Sequence, residues 1–336
     1  MLALTDQIMI EHPLDIPDLS FRGFRGPVDY PLMVELINSS REVDKNDWVT
    51  SIEDIEVEYE NLVNCDPYRD MLFAVVGGHV VAYSRVHWRA DSADNLLYNI
   101  YLTIHPEWHQ SGIGRIMLKY SENLLKQIAQ SHNPTTPKYF DTLSSETTTT
   151  YNTLLEEYEY EPARYFYAMR RPIDAPLPEA GLPQGVEVRP VEDEHIDQIL
   201  DATDEVFQDL WGYVPMTPQD RQQIRSQPDF DPSLWKIAWA GNQVVGTVIN
   251  SVNHNENITF NRKRGYTDKI AVRLPYRTQG IARGLLVQSI QMFKNMGMEE
   301  TALGVDCDNP NGALRLYESV GYRPYKQYMV YRKPME

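Results

Sequence analysis

Ile270-Ala271-Val272, followed by Arg277-Thr278-Gln279-Gly280-Ile281-Ala282, decides how this chain is read. The triplet predicts a short β-strand. The second stretch predicts a turn and then a helix whose opening positions carry almost no side-chain bulk. Gly280 and Ala282 let the backbone approach a bulky anion. The first turn of a helix leaves its N–H groups without intrahelical partners, and the positive end of the helix dipole lies there too. Arg277 adds a planar charged fork suited to phosphate oxygens. The stretch predicts a cradle for a diphosphate. It is not a dinucleotide fingerprint, which needs G-x-G-x-x-G, nor a P-loop, which ends in Gly-Lys-Ser/Thr.

Two downstream segments narrow the reading. Asp306-Cys307-Asp308-Asn309-Pro310-Asn311-Gly312-Ala313 opens a helix running through Leu314, Leu316, Tyr317 and Val320. Gly321, a common helix stop, ends it, and Tyr322 follows. The chain then closes on Gly321-Tyr322-Arg323-Pro324 through Val330-Tyr331-Arg332, which predicts paired terminal strands. With Arg277–Ala282 matching R/Q-x-x-G-x-G/A and Asn309–Tyr322 matching N-x-x-A-x-x-L-Y-x-x-x-G-F/Y, this region resembles the GNAT acetyltransferase superfamily. One residue of extra length before Ala313 leaves the asparagine of that motif open between Asn309 and Asn311.

The same order occurs earlier. Leu102-Thr103-Ile104 and Gly112-Ile113-Gly114-Arg115 align with Ile270-Ala271-Val272 and Gly280-Ile281-Ala282-Arg283 at an offset of 168 (280 − 112). Leu154 through Pro172 align with Leu316 through Pro334 at an offset of 162 (334 − 172). Val75–Val81 likewise mirrors Trp239–Val245. So long a period means two tandem domains of one fold, because solenoid periods are several-fold shorter. The expected architecture is mixed α/β: two tandem GNAT folds, each a mixed, mostly antiparallel sheet flanked by helices. The boundaries fall at 1–173, a proline-rich linker at 174–185, and 186–336. Helices are expected at Pro31–Arg41, Gly114–Gln130, Glu194–Phe207 and Ile281–Met296, and strands at Leu72–Val76, His79–Val86, Val186–Arg189, Trp235–Trp239 and Val244–Ser251. Thr147–Thr150 reads as loop or helix start.

Of the 336 residues, 31 are basic and 48 acidic, a net charge of −17. This argues against nucleic-acid binding, which needs clustered Lys and Arg. The acidity suits a cationic amine substrate, or simply solubility. Cys65 and Cys307 fall one to each half, so no disulfide framework is expected. Met1–Asp6 lacks a basic leader region, and no run approaches the ~18 apolar residues of a membrane span. A cytoplasmic protein without membrane or metal partners is expected, as monomer or homodimer.

The resemblance implies specific roles. Ile270, Ala271 and Val272 would pair with the pantetheine arm of acetyl-CoA, and Arg277, Thr278, Gln279, Gly280, Ile281 and Ala282 would hold its diphosphate. Tyr317 would protonate the departing thiolate; its alternative is a core tyrosine. Asp268 and Glu256 are candidates for the base that deprotonates the acceptor amine. Asp209, Trp211 and Tyr213, in a stretch that alternates acidic and aromatic residues, would meet a cationic acceptor or else form a helix end. Asn261–Gly265 is a basic patch that would meet the 3′-phosphate or lie solvated in a loop.

The halves differ in chemistry. Leu155 stands opposite Tyr317, His109 opposite Arg277 and Glu159 opposite Gly321. The first half retains Leu102, Ile104, Gln110, Gly112, Ile113 and Gly114 as a weaker second coenzyme site, and reads as a degenerate structural or substrate-shaping partner. This layout is similar to that of mycothiol-synthase-type tandem proteins. The leading expectation is an N-acetyltransferase acting directly on a small-molecule or peptide amine in the second half. The rival is a non-catalytic acyl-CoA-binding sensor or interaction protein.

Overall fold

The computed structural model describes residues 7–336, so Met1–Asp6 lie outside the described residues. The chain forms two compact units. Unit 1 comprises residues up to Ala163 together with Met329–Glu336, and unit 2 is Arg164–Tyr328. The repeat boundaries at 173 and 186 do not coincide with these units. The end of the first repeat belongs to unit 2 and the end of the second to unit 1. Sequence similarity follows ancestry along the chain, whereas a compact unit follows which strands find each other.

Unit 1 opens with β1 (Gln7–Ile8), β2 (Leu19–Arg22), α1 (Tyr30–Ser39), α2 (Ile52–Glu60) and the single turn α3 (Pro67–Asp70). Proline in the first turn of α1 and a Ser51–Asp54 capping box on α2 supply the helix starts. The hairpin β3 (Met71–Val76) to β4 (His79–Ala90) turns on Gly77 and Gly78, both left-handed, as a two-residue hairpin loop requires. Then come β5 (Leu96–Ile104), α4 (Ile113–Ala129), β6 (Lys138–Ser145) and α5 (Thr149–Glu157). Neighbouring strands run β1-β2-β3-β4-β5-β6, antiparallel except for the parallel β5–β6 pair that α4 connects. The next strand, β7 (Glu161–Pro172), passes into unit 2 at Arg164.

Unit 2 repeats the plan with β8 (Glu187–Arg189), α6 (Ile196–Phe207), α7 (Pro218–Ser226), β9 (Lys236–Ala240), β10 (Gln243–Ser251), α8 (His254–Thr259), β11 (Arg264–Val272), α9 (Ile281–Asn295), β12 (Glu300–Asp306), α10 (Ala313–Ser319) and the start of β13 (Arg323–Pro334), which passes into unit 1 at Met329. Its strand order is β7-β12-β11-β10-β9-β8. Each unit is therefore a mixed, mostly antiparallel sheet flanked by helices. The core under α9 and α10 buries Leu286, Ile290, Phe293, Val305, Tyr317 and Tyr322. Fully burying one such side chain contributes about 1.5–3 kcal/mol.

Three sequence expectations are corrected. The terminal segment is one continuous strand, β13, rather than a pair, because Arg323–Pro334 contains no turn residue after Pro324. The cofactor strand is longer than Ile270–Val272 and begins at Arg264, so part of the basic patch is strand. Arg264 is buried with its Nε on Glu300 at 2.7 Å, and Arg262 donates to Glu256 at 2.9 Å, so the patch is spent on internal ion pairs. Glu159 does not prevent its helix from stopping; it adopts the left-handed conformation itself (φ 64°), as Gly321 does (φ 97°). That conformation costs a side-chain-bearing residue about 1–2 kcal/mol.

The proline-rich segment after β7 has no regular structure but is tied to unit 2. Arg171, fully buried, donates to the carbonyls of Val320, Pro172, Ile173, Ala175 and Pro176. It thereby links β7, the end of α10 and this segment. Further along, Gly181 and Leu182 lie against Gly284 of α9.

Candidate active site

The site of unit 2 arises where two strands part. β12 pairs with β11 only from Arg264–Glu300 to Thr267–Leu303. Beyond that, β12 continues alongside β7 and β11 alongside β10. Asp268, Lys269, Ile270, Ala271 and Val272 thus form the open side of a V. A backbone edge of this kind accepts an extended partner by strand-like pairing. On the opposite arm of the V, Gly304 is exposed, and a Cβ added there would meet no atom within 4 Å.

Asp268 stands at the fork because of a β-bulge. The β10–β11 register slips between Ile249–Lys269 and Asn250–Thr267, leaving Asp268 as the extra residue. Bulges of this type re-aim side chains beside active sites. Ser251 hydrogen-bonds the Asp268 side chain. Ser251, Ile249 and Thr247 share one face of β10, and Thr247 Oγ1 bonds Thr203 of α6 at 2.9 Å. The bulge therefore turns Asp268 toward the α6 face. Its tip is exposed, but the protein crowded around it pushes the carboxyl up to about 6, while Ser251 opposes the shift. Lys269 follows it, its ammonium pKa lowered by burial and held up in part by Asp204, Asp268 and Asp220.

The other base candidate is differently placed. Glu256 is buried and accepts from the Tyr266 hydroxyl at 2.6 Å and from Arg262 at 2.9 Å. Its charge is committed to that network. Tyr317 is 7% exposed, and among the described residues its hydroxyl has no hydrogen-bond partner. Its ring meets Tyr322 edge-on at 6.4 Å, and burial raises the phenol pKa.

The diphosphate candidates come together at the start of α9. Gly280 caps the helix at φ 86°, and Thr278 is also left-handed at φ 62°. Left-handed residues of this kind occur in the turns whose backbone amides form anion-binding concavities. Gln279 donates to Pro275 O at 3.1 Å and Thr278 to Arg277 O at 2.7 Å, so neither side chain caps the helix amides. Arg277 Nε donates to Val272 O at 3.0 Å and Nη1 to Asn311 Oδ1 at 3.0 Å. Of the two asparagines, Asn311 is thus the one tied to Arg277, while Asn309 Oδ1 accepts from the Asn311 amide at 2.9 Å.

Two further arginines escaped the sequence reading. Arg283, in the first turn of α9, reaches Ser319 Oγ at 3.3 Å. Arg315 lies over Gly312, the cap of α10. Among the described residues, none of Arg277, Arg283 and Arg315 pairs with a carboxylate, despite the excess of acids in the chain. The signal was present in the repeat: Ser319 aligns with Glu157, so only one of the two equivalent arginines has an acid to meet.

The proposed acceptor residues are not gathered into one cluster. Tyr213 donates to Asp204 at 2.6 Å, Trp211 lies 5.6 Å from the Arg164 guanidinium, and Asp209 is exposed. In unit 1, Leu102 and Ile104 pack against the core beside buried Ile113, and Gln110 is exposed. Gly112 caps α4 at φ 88°, with Leu14 against it. A Cβ on Gly114 would come within 2.8 Å of Ile104 and 3.1 Å of Leu154, so packing alone accounts for that glycine.

Comparison with known proteins bears on the fold and the family. Residues 198–322 match the Acetyltransferase (GNAT) family. A GCN5-related N-acetyltransferase from Sphaerobacter thermophilus has a TM-score of 0.71 at 25% identity, covering 95% of this chain and 96% of that one. A tandem GNAT protein from the clavulanic acid biosynthesis pathway shares the fold at TM-score 0.67 and 12% identity, covering 94% of this chain and 98% of that one. Residues 198–322 thus match the GNAT acetyltransferase family, and the chain as a whole is similar in fold to tandem GNAT proteins. The mycothiol acetyltransferase of Thermobispora bispora is 30% identical over 174 residues, 51% of this chain. The match spans 58% of that relative's own length. No helix among the described residues is long and apolar enough to cross a membrane.

Proposed function

We propose that unit 2 transfers an acetyl group from acetyl-CoA to the amine of a small molecule or peptide, without a covalent enzyme intermediate. The observation that carries this reading is the start of α9: uncapped amides and three arginines without carboxylate partners, placed beside a parted pair of strands. The arginines and amides hold the diphosphate, and the open edge of Ile270–Val272 positions the thioester.

Asp268 takes the proton of the acceptor ammonium. The freed nitrogen lone pair attacks the thioester carbonyl; as the carbon–sulfur bond breaks, Tyr317 gives its proton to the sulfur, and the second proton of the attacking nitrogen passes through water to the phenolate. A phenol whose pKa is raised by burial remains protonated at neutral pH. The same surroundings raise the basicity of a thiolate formed beside it, so the proton has somewhere to go. Bulge and placement make Asp268 the stronger base candidate, since Glu256 is committed to Tyr266 and Arg262.

The test is thiol release from acetyl-CoA across a panel of amines, with Tyr317→Phe alongside. The expected outcome is retained coenzyme affinity with turnover lowered about 10²-fold, the scale of a lost general acid. Unchanged turnover removes Tyr317 from the mechanism. Coenzyme binding without reaction toward any amine favours a binding role instead.

A further inference from the structure

We propose that unit 1 is closed to coenzyme A by its own side chains, so that each chain binds one equivalent, in unit 2. The inference rests on reading the α9 cradle as the coenzyme site. Four separate observations support the closure.

The first concerns the V itself. β5 and β6 part at the equivalent place, after Asn99–Asp141. There Thr142 Oγ1 donates across the gap to Ile100 O at 2.9 Å, and the Tyr151 hydroxyl lies 3.0 Å from the same Thr142 oxygen. With the threonine proton committed to Ile100, Tyr151 is the donor to Thr142. In unit 2 the equivalent residues are Gly304 and Ala313, which have no groups able to bridge. An incoming arm would have to break one buried and one partly buried hydrogen bond and displace a tyrosine ring.

The second is the strand. β4 and β5 pair without a slip from Ala82–Ile104 to Ala90–Leu96, so unit 1 has no bulge where unit 2 has Asp268. The equivalent residue, Ile100, is buried at 3% exposure. The third is the helix start. Ser111 Oγ accepts from the Ile113 amide at 3.2 Å, occupying a donor that a phosphate would need. The fourth is charge. Arg115, equivalent to Arg283, is held by both oxygens of Glu157 at 2.7–3.1 Å, where unit 2 offers Arg283 only the Ser319 hydroxyl. A guanidinium whose fork is occupied by a carboxylate presents less of it, and less net charge, to a second anion.

Titration calorimetry of the full chain with coenzyme A tests this. One equivalent is expected, and Arg277→Ala with Arg283→Ala should weaken binding about 10²-fold, as loss of two charge-assisted contacts implies. Ser319→Glu, which gives unit 2 the acid of unit 1, should weaken it about tenfold. Glu157→Ser should change neither affinity nor stoichiometry, since the gap behind it remains bridged. Two equivalents, or a single site indifferent to the unit 2 arginines, would overturn the inference. A second equivalent in Glu157→Ser would do so as well, because the Thr142–Tyr151 bridge would then not be a barrier. Absence of any binding would instead sink the coenzyme reading on which the inference rests.

Discussion

At Gly112 and Gly280 the two units share almost the same backbone, φ 88° and φ 86°, each capping a helix that follows a strand of matching register. Even the side chains just before these caps do the same work: His109 Nε2 donates to Ile104 O at 3.0 Å, and Arg277 Nε donates to the equivalent carbonyl of Val272 at 3.0 Å. The units part company in what surrounds this shared frame. Unit 1 satisfies its polar groups internally, through Ser111, Thr142, Tyr151 and Glu157. In unit 2, Gly304 and Ala313 offer no such bridge, and Arg283 meets a hydroxyl in place of a carboxylate. The backbone of a duplicated fold can therefore persist while a few side chains change what surrounds it.

The sharpest way to break this contrast is to move the closure across. Gly304→Thr with Ala313→Tyr should lower coenzyme affinity on the order of 10²-fold or more, measured as a dissociation constant, because bound pantetheine would lose its place on the strand edge. Space beside Gly304 is open, and a Cβ added there meets no atom within 4 Å. Undiminished binding would show that the gap is not the entry for the arm.

A smaller effect is expected at the bulge. A carboxylate accepts a proton only when ionised, so kcat/KM should fall as pH drops through about 6, where Asp268 protonates. Asp268→Asn should lower kcat/KM by about 10²-fold at neutral pH and remove that acidic limb. A limb that survives the substitution assigns the base elsewhere.

The smallest effect lies in unit 1. Thr142→Val leaves Ile100 O without its buried partner and should cost about 1–3 kcal/mol in chemical unfolding. Turnover by unit 2 should be unchanged. A loss of activity matching the loss of stability would mean that unit 1 contributes more than a closed scaffold.

Much of this was legible along the chain. Gly280 and Ala282 after a strand indicate a close backbone approach, and the Gly321 stop and the 168-residue offset of the repeats give the tandem fold. The choice between Asn309 and Asn311 was not legible, since it depends on which side chain Arg277 reaches. Nor was the ordering of Asp268 over Glu256: both are acids near a strand, and only the bulge on one and the Tyr266–Arg262 network on the other separate them.

The sequence by itself determined the GNAT resemblance, the duplicated plan and the presence of Leu155 where the second half has Tyr317, because motif glycines, helix stops and residue identity are local properties. Tertiary structure alone decided that the terminal strand segments change units, that Asp268 is a bulged residue, and that Arg115 meets a carboxylate while Arg283 does not. Those outcomes depend on pairings between residues far apart in the chain, where register, distance and direction exist only after folding.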